Sequence, residues 1–129
     1  MISKYNVDNS ALGKLKRTFD GILFDSLLEC RFYKEVIIPK IKSGEIKNVN
    51  RQVKYELLPS FVYKNRKIQA INYISDFDIS YSNGDFEVVD VKGFVKPIDK
   101  IKSKMFKHKY PDLNLKFVGY TKELGWHEK

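Results

Sequence analysis

The chain has 129 residues, 43% hydrophobic and 31% charged with only 4 Pro and 7 Gly, a make-up that fits one folded domain and excludes disorder and low-complexity sequence. Its single cysteine, Cys30, excludes an intrachain disulfide framework and a Cys-rich zinc site. Lys and Arg total 24 against 16 Asp and Glu, a net +8, and the apolar run Val36-Ile37-Ile38 is far short of the ~20 residues of a membrane span.

Residues 1–20 read as a loosely structured lead-in ending at Asp20-Gly21, and residues 21–129 as a single domain. Residues 1–6 have no apolar stretch that would serve as a signal peptide, so a soluble, cytoplasmic protein is expected. A helix begins at Phe24-Asp25-Ser26, where Asp25 or Ser26 can accept from the open first-turn N–H groups and Ser26-x-x-Glu29 has capping-box spacing. Leu27, Leu28, Phe32, Val36 and Ile37 then recur at helical intervals, and Pro39 or Gly44 ends the pattern. Residues 46–58 turn toward strand, with Val49, Val53, Tyr55 and Leu57 spaced at two or four and Pro59 closing the run. A second extended run covers about residues 67–81 and a third residues 85–91, joined at Ser82-Asn83-Gly84, the strongest hairpin signal in the chain. After Pro97, Ile98, Ile101 and Met105 form one apolar helix stripe, with Lys100, Lys104 and Lys107 on other faces. Residues 114–121 read as a last strand. The order α-β-β-β-α-β predicts an α/β protein, an α+β mixed sheet flanked by helices.

The positive excess is uneven. Between Val91 and Lys122 nine lysines (92, 96, 100, 102, 104, 107, 109, 116 and 122) stand against Asp99 and Asp112. A basic face of this kind suits a polyanion, because each neutralised phosphate releases condensed counterions. A lysine-rich solvated surface is the plainer alternative.

The chemistry concentrates on the central hairpin. Asp90 and Lys92 are two apart on a strand and leave the same face, inside an otherwise apolar run where a charge is costly. Asp76 comes in on the partner strand, with Asp78 a weaker rival. Two carboxylates and an amine gathered there can hold a divalent cation and a water beside it, and oxygen ligands suit Mg²⁺ or Mn²⁺. An ordinary Asp–Lys ion pair is the alternative, since D-x-K is a short motif. Register decides what meets what. If Asn83-Gly84 form a tight two-residue turn, Phe77 faces Asp90, whereas a three-residue loop with Gly84 left-handed sets Asp76 opposite Asp90. The distal pairing of Ile79 with Val88 and Tyr81 with Phe86 favours the tight turn, and metal sharing then needs a bulge or divergence near Ser75–Asp78.

Glu29 is either half of the Ser26 capping box or a ligand projected from the first helix. Gln52 either reaches the same region or satisfies a local polar contact. His108 and His127 lack partners at catalytic spacing, and Cys30 reads as a small core residue. No glycine-rich phosphate loop, dinucleotide fingerprint or G-x-S-x-G elbow is present.

These stretches together resemble the PD-(D/E)xK nuclease superfamily. The matching residues are Phe24-Asp25-Ser26-Leu27-Leu28-Glu29, Arg51-Gln52-Val53-x-Tyr55-x-Leu57, Tyr73-Ile74-Ser75-Asp76-Phe77 and Val89-Asp90-Val91-Lys92-Gly93. The segment Lys100-Ile101-Lys102-x-Lys104-Met105-Phe106 and Tyr110-Pro111 match as well. The layout is similar to the Holliday-junction-resolving endonucleases of T-odd phages and to a family of small phage proteins in the same superfamily. The match covers roughly residues 20–121 and departs at Ser75, which stands where the motif has proline.

The resemblance implies a restriction-endonuclease-like core, Glu29, Asp76 and Asp90 as Mg²⁺ or Mn²⁺ ligands, and Lys92 as the catalytic lysine. It makes Gln52, Lys102 and Lys104 accessory or phosphate-contacting residues, and Lys96, Lys100 and Lys107 join them on the basic face. The implied activity is metal-dependent DNA phosphodiester hydrolysis, with branched or four-way-junction DNA as partner and room for a homodimer. The implied setting is the bacterial host cytoplasm if a phage encodes the protein. The alternative is a non-catalytic DNA- or partner-binding protein that keeps the nuclease fold.

Overall fold

A computed structural model describes residues 7–129. Residues 1–6, and with them the signal-peptide expectation and the start of the lead-in, lie outside the described residues.

The rest of the lead-in is more regular than expected. Ser10 caps helix α1 (Ala11–Lys16), its hydroxyl accepting from the Gly13 N–H. Asp20-Gly21 forms the turn between β1 (Thr18–Phe19) and β2 (Ile22–Leu23). Both turn residues have positive φ, 54° and 73°, the left-handed pair that a two-residue type I′ hairpin requires and that Asp-Gly supplies at little cost.

The next helix starts where Ser26 can cap it. The Ser26 hydroxyl accepts from the Glu29 N–H at 3.1 Å, and α2 (Leu27–Phe32) runs through one π turn (Tyr33–Ile37) into α3 (Ile38–Lys42). Pro39 has no N–H to donate back to Glu35, and the wider turn accommodates that gap. Gly44, at φ 82°, ends the helix.

The run expected over residues 46–58 is two strands, β3 (Ile46–Arg51) and β4 (Lys54–Leu58), broken at Gln52, whose φ is 54°. The run expected over 67–81 is broken as well. It yields β6 (Arg66–Ile68), which pairs with β5 (Phe61–Tyr63), then β7 (Ile71–Ile74) and β8 (Phe77–Tyr81). The two breaks face each other. Gln52 N–H donates to the Asp76 carbonyl at 3.3 Å and Ser75 N–H to the Val53 carbonyl at 2.9 Å. On one side β3 pairs with β8, and on the other β4 pairs with β7, so the ribbon 54–74 leaves the sheet at this fork.

The β8–β9 hairpin corrects the expected register. β9 (Phe86–Val91) pairs Phe77 with Val89, Asp78 with Val88 and Ile79 with Glu87. The loop is the three-residue one, Ser82-Asn83-Gly84, closed by Tyr81 N–H to the Asp85 carbonyl at 2.8 Å, with Gly84 at φ 96°. Asn83 favours it, because its side-chain oxygen accepts from the Asp85 N–H. Ile79 therefore does not face Val88, nor Tyr81 Phe86.

Helix α4 (Pro97–Lys109) carries the chain to β10 (Asn114–Thr121), parallel to β9, and β11 (Gly125–Glu128) follows. The result is a mixed α+β protein with a five-stranded mixed sheet in the order β11-β10-β9-β8-β3. One sheet face packs Phe77, Ile79, Val89, Val91 and Val118 on Phe24, Leu28, Phe32 and Ile37. The other packs Val88 and Leu115 on Phe106, Leu57 and Tyr73. The expected α4 stripe holds only at Met105, which packs against the core. Ile98 and Ile101 are 53% and 55% exposed, and Phe106 is the buried anchor. Its ring lies 5.0, 5.6 and 5.1 Å from those of Tyr55, Tyr73 and Tyr110, a denser set of contacts than two isoleucines offer. No helix among the described residues is long and apolar enough to cross a membrane.

Phe77 is fully buried and touches three rings, stacked 6.2 Å from Tyr33 and tilted against Phe24 and Phe32. Phe77→Ala should lower the unfolding free energy by about 3–5 kcal/mol, read from urea denaturation, and a loss under ~1 kcal/mol would show that this ring cluster is not the core's anchor.

Candidate functional site

The fork sets the site. Asp76 lies at the break between β7 and β8, where its N–H donates to the Val89 carbonyl at 3.2 Å and its Oδ2 accepts from the Val91 N–H at 2.8 Å. The β8–β9 ladder ends at Phe77 and Val89, and Asp76, the next residue, places its carboxylate on the Val91 N–H, next to Asp90 in the chain. The strands also diverge here, at the fork, although the tight turn that would have required a divergence does not form.

Asp90 and Lys92 leave β9 on one face, as the strand period requires. Asp90 Oδ2 accepts from the Tyr73 hydroxyl at 3.0 Å and lies 3.1 Å from Lys92 Nζ. The same ammonium is 3.1 Å from Asp99 Oδ1, so Lys92 is held between a strand carboxylate and a helix carboxylate. Asp99 is fixed in turn, its Oδ2 accepting from the Lys96 N–H at 2.8 Å at the start of α4. Exposure is 6% for Asp76, 2% for Asp90 and 5% for Lys92. An ion pair on a solvated strand face, the plainer alternative, would not show this burial.

Asp78 belongs to the base of the ribbon. It is buried, its Oδ1 accepts from Ser75 Oγ at 2.7 Å, and its Oδ2 accepts a short hydrogen bond from the Tyr55 hydroxyl. Burial, and then the hydrogen bond it donates to Asp78, push the Tyr55 hydroxyl well above the ordinary tyrosine value. Tyr73 is pushed further, first by burial, then by the charge and hydrogen bond of Asp90, then by the charges of Asp76 and Asp78. Three aspartates thus share one electrostatic neighbourhood around one phenol.

Glu29 is fully buried in the first turn of α2, the helix that packs against β9. A carboxylate in that position is uncommon without a structural or functional demand for it. Among the described residues no three Asp, Glu, His or Cys side chains form a ready metal-holding group. Hydroxyl and ammonium donors occupy Asp90 and Asp78.

The accessory residues divide. The Gln52 side chain donates to Asp25 Oδ2 at 2.7 Å, while its backbone bonds to Asp76 across the fork. Lys102 turns inward and donates to the Asn72 carbonyl at 3.0 Å, tying α4 to β7. Lys96 caps α4, and Lys100, Lys104 and Lys107 are exposed along it. His108 is exposed, and Cys30 sits in the core as expected, its thiol pushed up by burial. Sequence reasoning missed Tyr73, Tyr55 and Asp99 as site partners. Asp99 had a signal, an acid two residues after Pro97 where a helix N-terminus favours one. The tyrosines had none, because their partners depend on the fork.

A family model described as "Protein of unknown function (DUF1064)" matches residues 3–125. The curated proteins give no match.

Tyr73 keeps its proton in the folded protein after the unfolded chain has released it near pH 10. Its contribution to stability is therefore complete below about pH 10 and declines as pH rises beyond it. Tyr73→Phe should make the alkaline decline of the urea midpoint shallower, and an identical decline in the variant would contradict the buried phenol–Asp90 contact.

Proposed function

The chain belongs to the DUF1064 family, and from its site we propose that it is a divalent-metal-dependent endonuclease of PD-(D/E)xK type that hydrolyses DNA phosphodiesters. The observation that carries this is a buried Lys92 held between Asp90 and Asp99, with the buried Asp76 carboxylate on the Val91 N–H between Asp90 and Lys92 in the chain. Like charges gathered in a low-dielectric pocket repel one another, and a divalent cation offsets them.

The order of elements supports it. Along the sheet the chain runs helix 27–42, β3, β8, β9, α4 and β10, the α-β-β-β-α-β sequence of a restriction-endonuclease-like core. Ribbon 54–74 is then an insertion between the first two core strands, and β11 an addition after the last.

The donor set fits the proposed ion. Asp76, Asp90 and Glu29 supply only oxygen, which suits Mg²⁺ or Mn²⁺. When bound, such an ion lowers the pKa of a coordinated water and offsets the charge growing on the phosphate. The protein's own part is positional. Tyr73 holds Asp90, Asp99 holds Lys92 from the helix side, and on this reading the Lys92 ammonium would donate to a phosphate oxygen. Lys100, Lys104 and Lys107 carry the backbone contacts of α4, with Lys96, Lys102 and Gln52 closer to the fork. Branched DNA as substrate, a homodimer, a phage origin and action in the host cytoplasm follow from the same resemblance and stand with it.

A second reading, a DNA-binding protein that keeps this fold without turnover, is favoured by the lack of a three-acid group among the described residues. One assay separates the two. Wild-type protein should nick plasmid DNA in Mg²⁺ or Mn²⁺ and stop in EDTA. Asp90→Asn and Lys92→Ala should each lose about 100-fold or more of that activity while still binding DNA in EDTA. Undiminished cleavage by Asp90→Asn overturns the nuclease assignment. Wild-type protein that binds DNA and nicks in neither metal establishes the second reading.

A further inference from the structure

Hairpin β5–β6 stands apart from both core faces. Every residue from Phe61 to Ile68 is exposed, including Val62 at 71% and Tyr63 at 58%. A two-stranded ribbon with no covering layer is marginal in water, and an apolar one invites pairing with other chains. Its register nevertheless is regular, with Phe61 opposite Ile68, Val62 opposite Lys67 and Tyr63 opposite Arg66. The turn residues Lys64 and Asn65 both have positive φ, 50° and 63°, matching a two-residue type I′ turn.

Strand alternation sorts the side chains. Phe61, Tyr63, Arg66 and Ile68 share one face, and Val62 and Lys67 the other. Lys64 lies at the tip, its ammonium 5.4 Å from the Tyr63 ring. From Leu57 to Ser75 the chain has three cations, Lys64, Arg66 and Lys67, and no acid. That charge decides between partners. An apolar strip alone would suit a protein, but a wholly cationic strip interleaved with rings matches a polyanion that also offers flat bases.

The ribbon is rooted in the site. At its base Tyr73 bonds to Asp90 and Tyr55 to Asp78, and β4–β7 continues outward into the hairpin. Nine residues separate Tyr55 from Lys64, a reach of at most ~30 Å at about 3.3 Å per residue. That is close to one turn of duplex DNA, roughly 34 Å, and a two-stranded ribbon fits the major groove.

We propose that hairpin 61–68 is a DNA-gripping arm, with Lys64, Arg66 and Lys67 on phosphates and Tyr63 against a base, within about one helical turn of the bond held at the fork. It deepens the nuclease assignment and rests on it for the substrate, while its own test needs no turnover. The probe is a fluorescently labelled duplex with a short single-stranded gap, titrated in EDTA at several salt concentrations and read by anisotropy beside the same duplex without the gap. A variant combining Lys64→Ala, Arg66→Ala and Lys67→Ala should lower the slope of log affinity against log salt by about 2–3. Tyr63→Ala should weaken binding to the gapped duplex roughly ten-fold with the slope unchanged. Binding by both variants equal to wild type across the salt series overturns the arm. So does the loss of a wild-type dimer in sedimentation with DNA affinity unchanged, which would make the hairpin a self-pairing edge. Cleavage measured alongside separates the two claims. Wild-type protein inert toward DNA, with variants that lose binding, leaves the arm and removes the nuclease. Wild-type protein that cleaves, with variants that bind and cleave equally, does the reverse.

Discussion

Lys92 caught between Asp90 and Asp99 is the interaction on which the rest of the structure turns. An ammonium and two carboxylates buried together are stable only where geometry is tight, since desolvation opposes their attraction. Each of the three is accordingly held from a different element. Tyr73 fixes Asp90 from the ribbon, the first turn of α4 fixes Asp99, and the Lys92 N–H is fastened to the Val118 carbonyl of β10 at 2.8 Å. Strand, helix, neighbouring strand and ribbon therefore meet at one amine, and displacing any of them leaves a buried charge poorly compensated.

The fork beside it explains how a sheet protein opens a site in its own core. β3 and β8 stay in the central sheet while their continuations β4 and β7 pair with each other and depart. At the point of departure Asp76 bridges both sides, its N–H on the Val89 carbonyl and its own carbonyl on the Gln52 N–H, while its carboxylate accepts from the Val91 N–H. Gln52, opposite, adopts a left-handed φ to make the bend. Backbone irregularity and the gathering of acids thus have one cause.

Much of this was legible in residue order. Ser26 as cap, the strand over 114–121 and the shared face of Asp90 and Lys92 follow from local rules that tertiary contacts did not override. What stayed hidden depended on distant partners. Val49, Val53, Tyr55 and Leu57 keep one strand phase at spacings of two or four, so their pattern does not mark that the chain changes partner at Gln52. The hairpin register turned on whether Asn83-Gly84 or Ser82-Asn83-Gly84 forms the loop, and apolar pairing pointed to the wrong one because Glu87, opposite Ile79, is held by Tyr81 and Lys116 and tolerates its place. The stripe on α4 misled for a similar reason. Ile98 and Ile101 have helical spacing, yet the ring cluster around Phe106 determines which face turns inward.

The central claim is that Asp76, Asp90 and Glu29 exist to hold a divalent cation beside Lys92. Titration calorimetry of the whole protein with Mn²⁺, without nucleic acid, tests it most directly. The account predicts saturable binding by the wild type that disappears in Asp76→Asn. Wild-type protein that takes up no Mn²⁺ at millimolar concentration, or a variant that binds it equally, would contradict it.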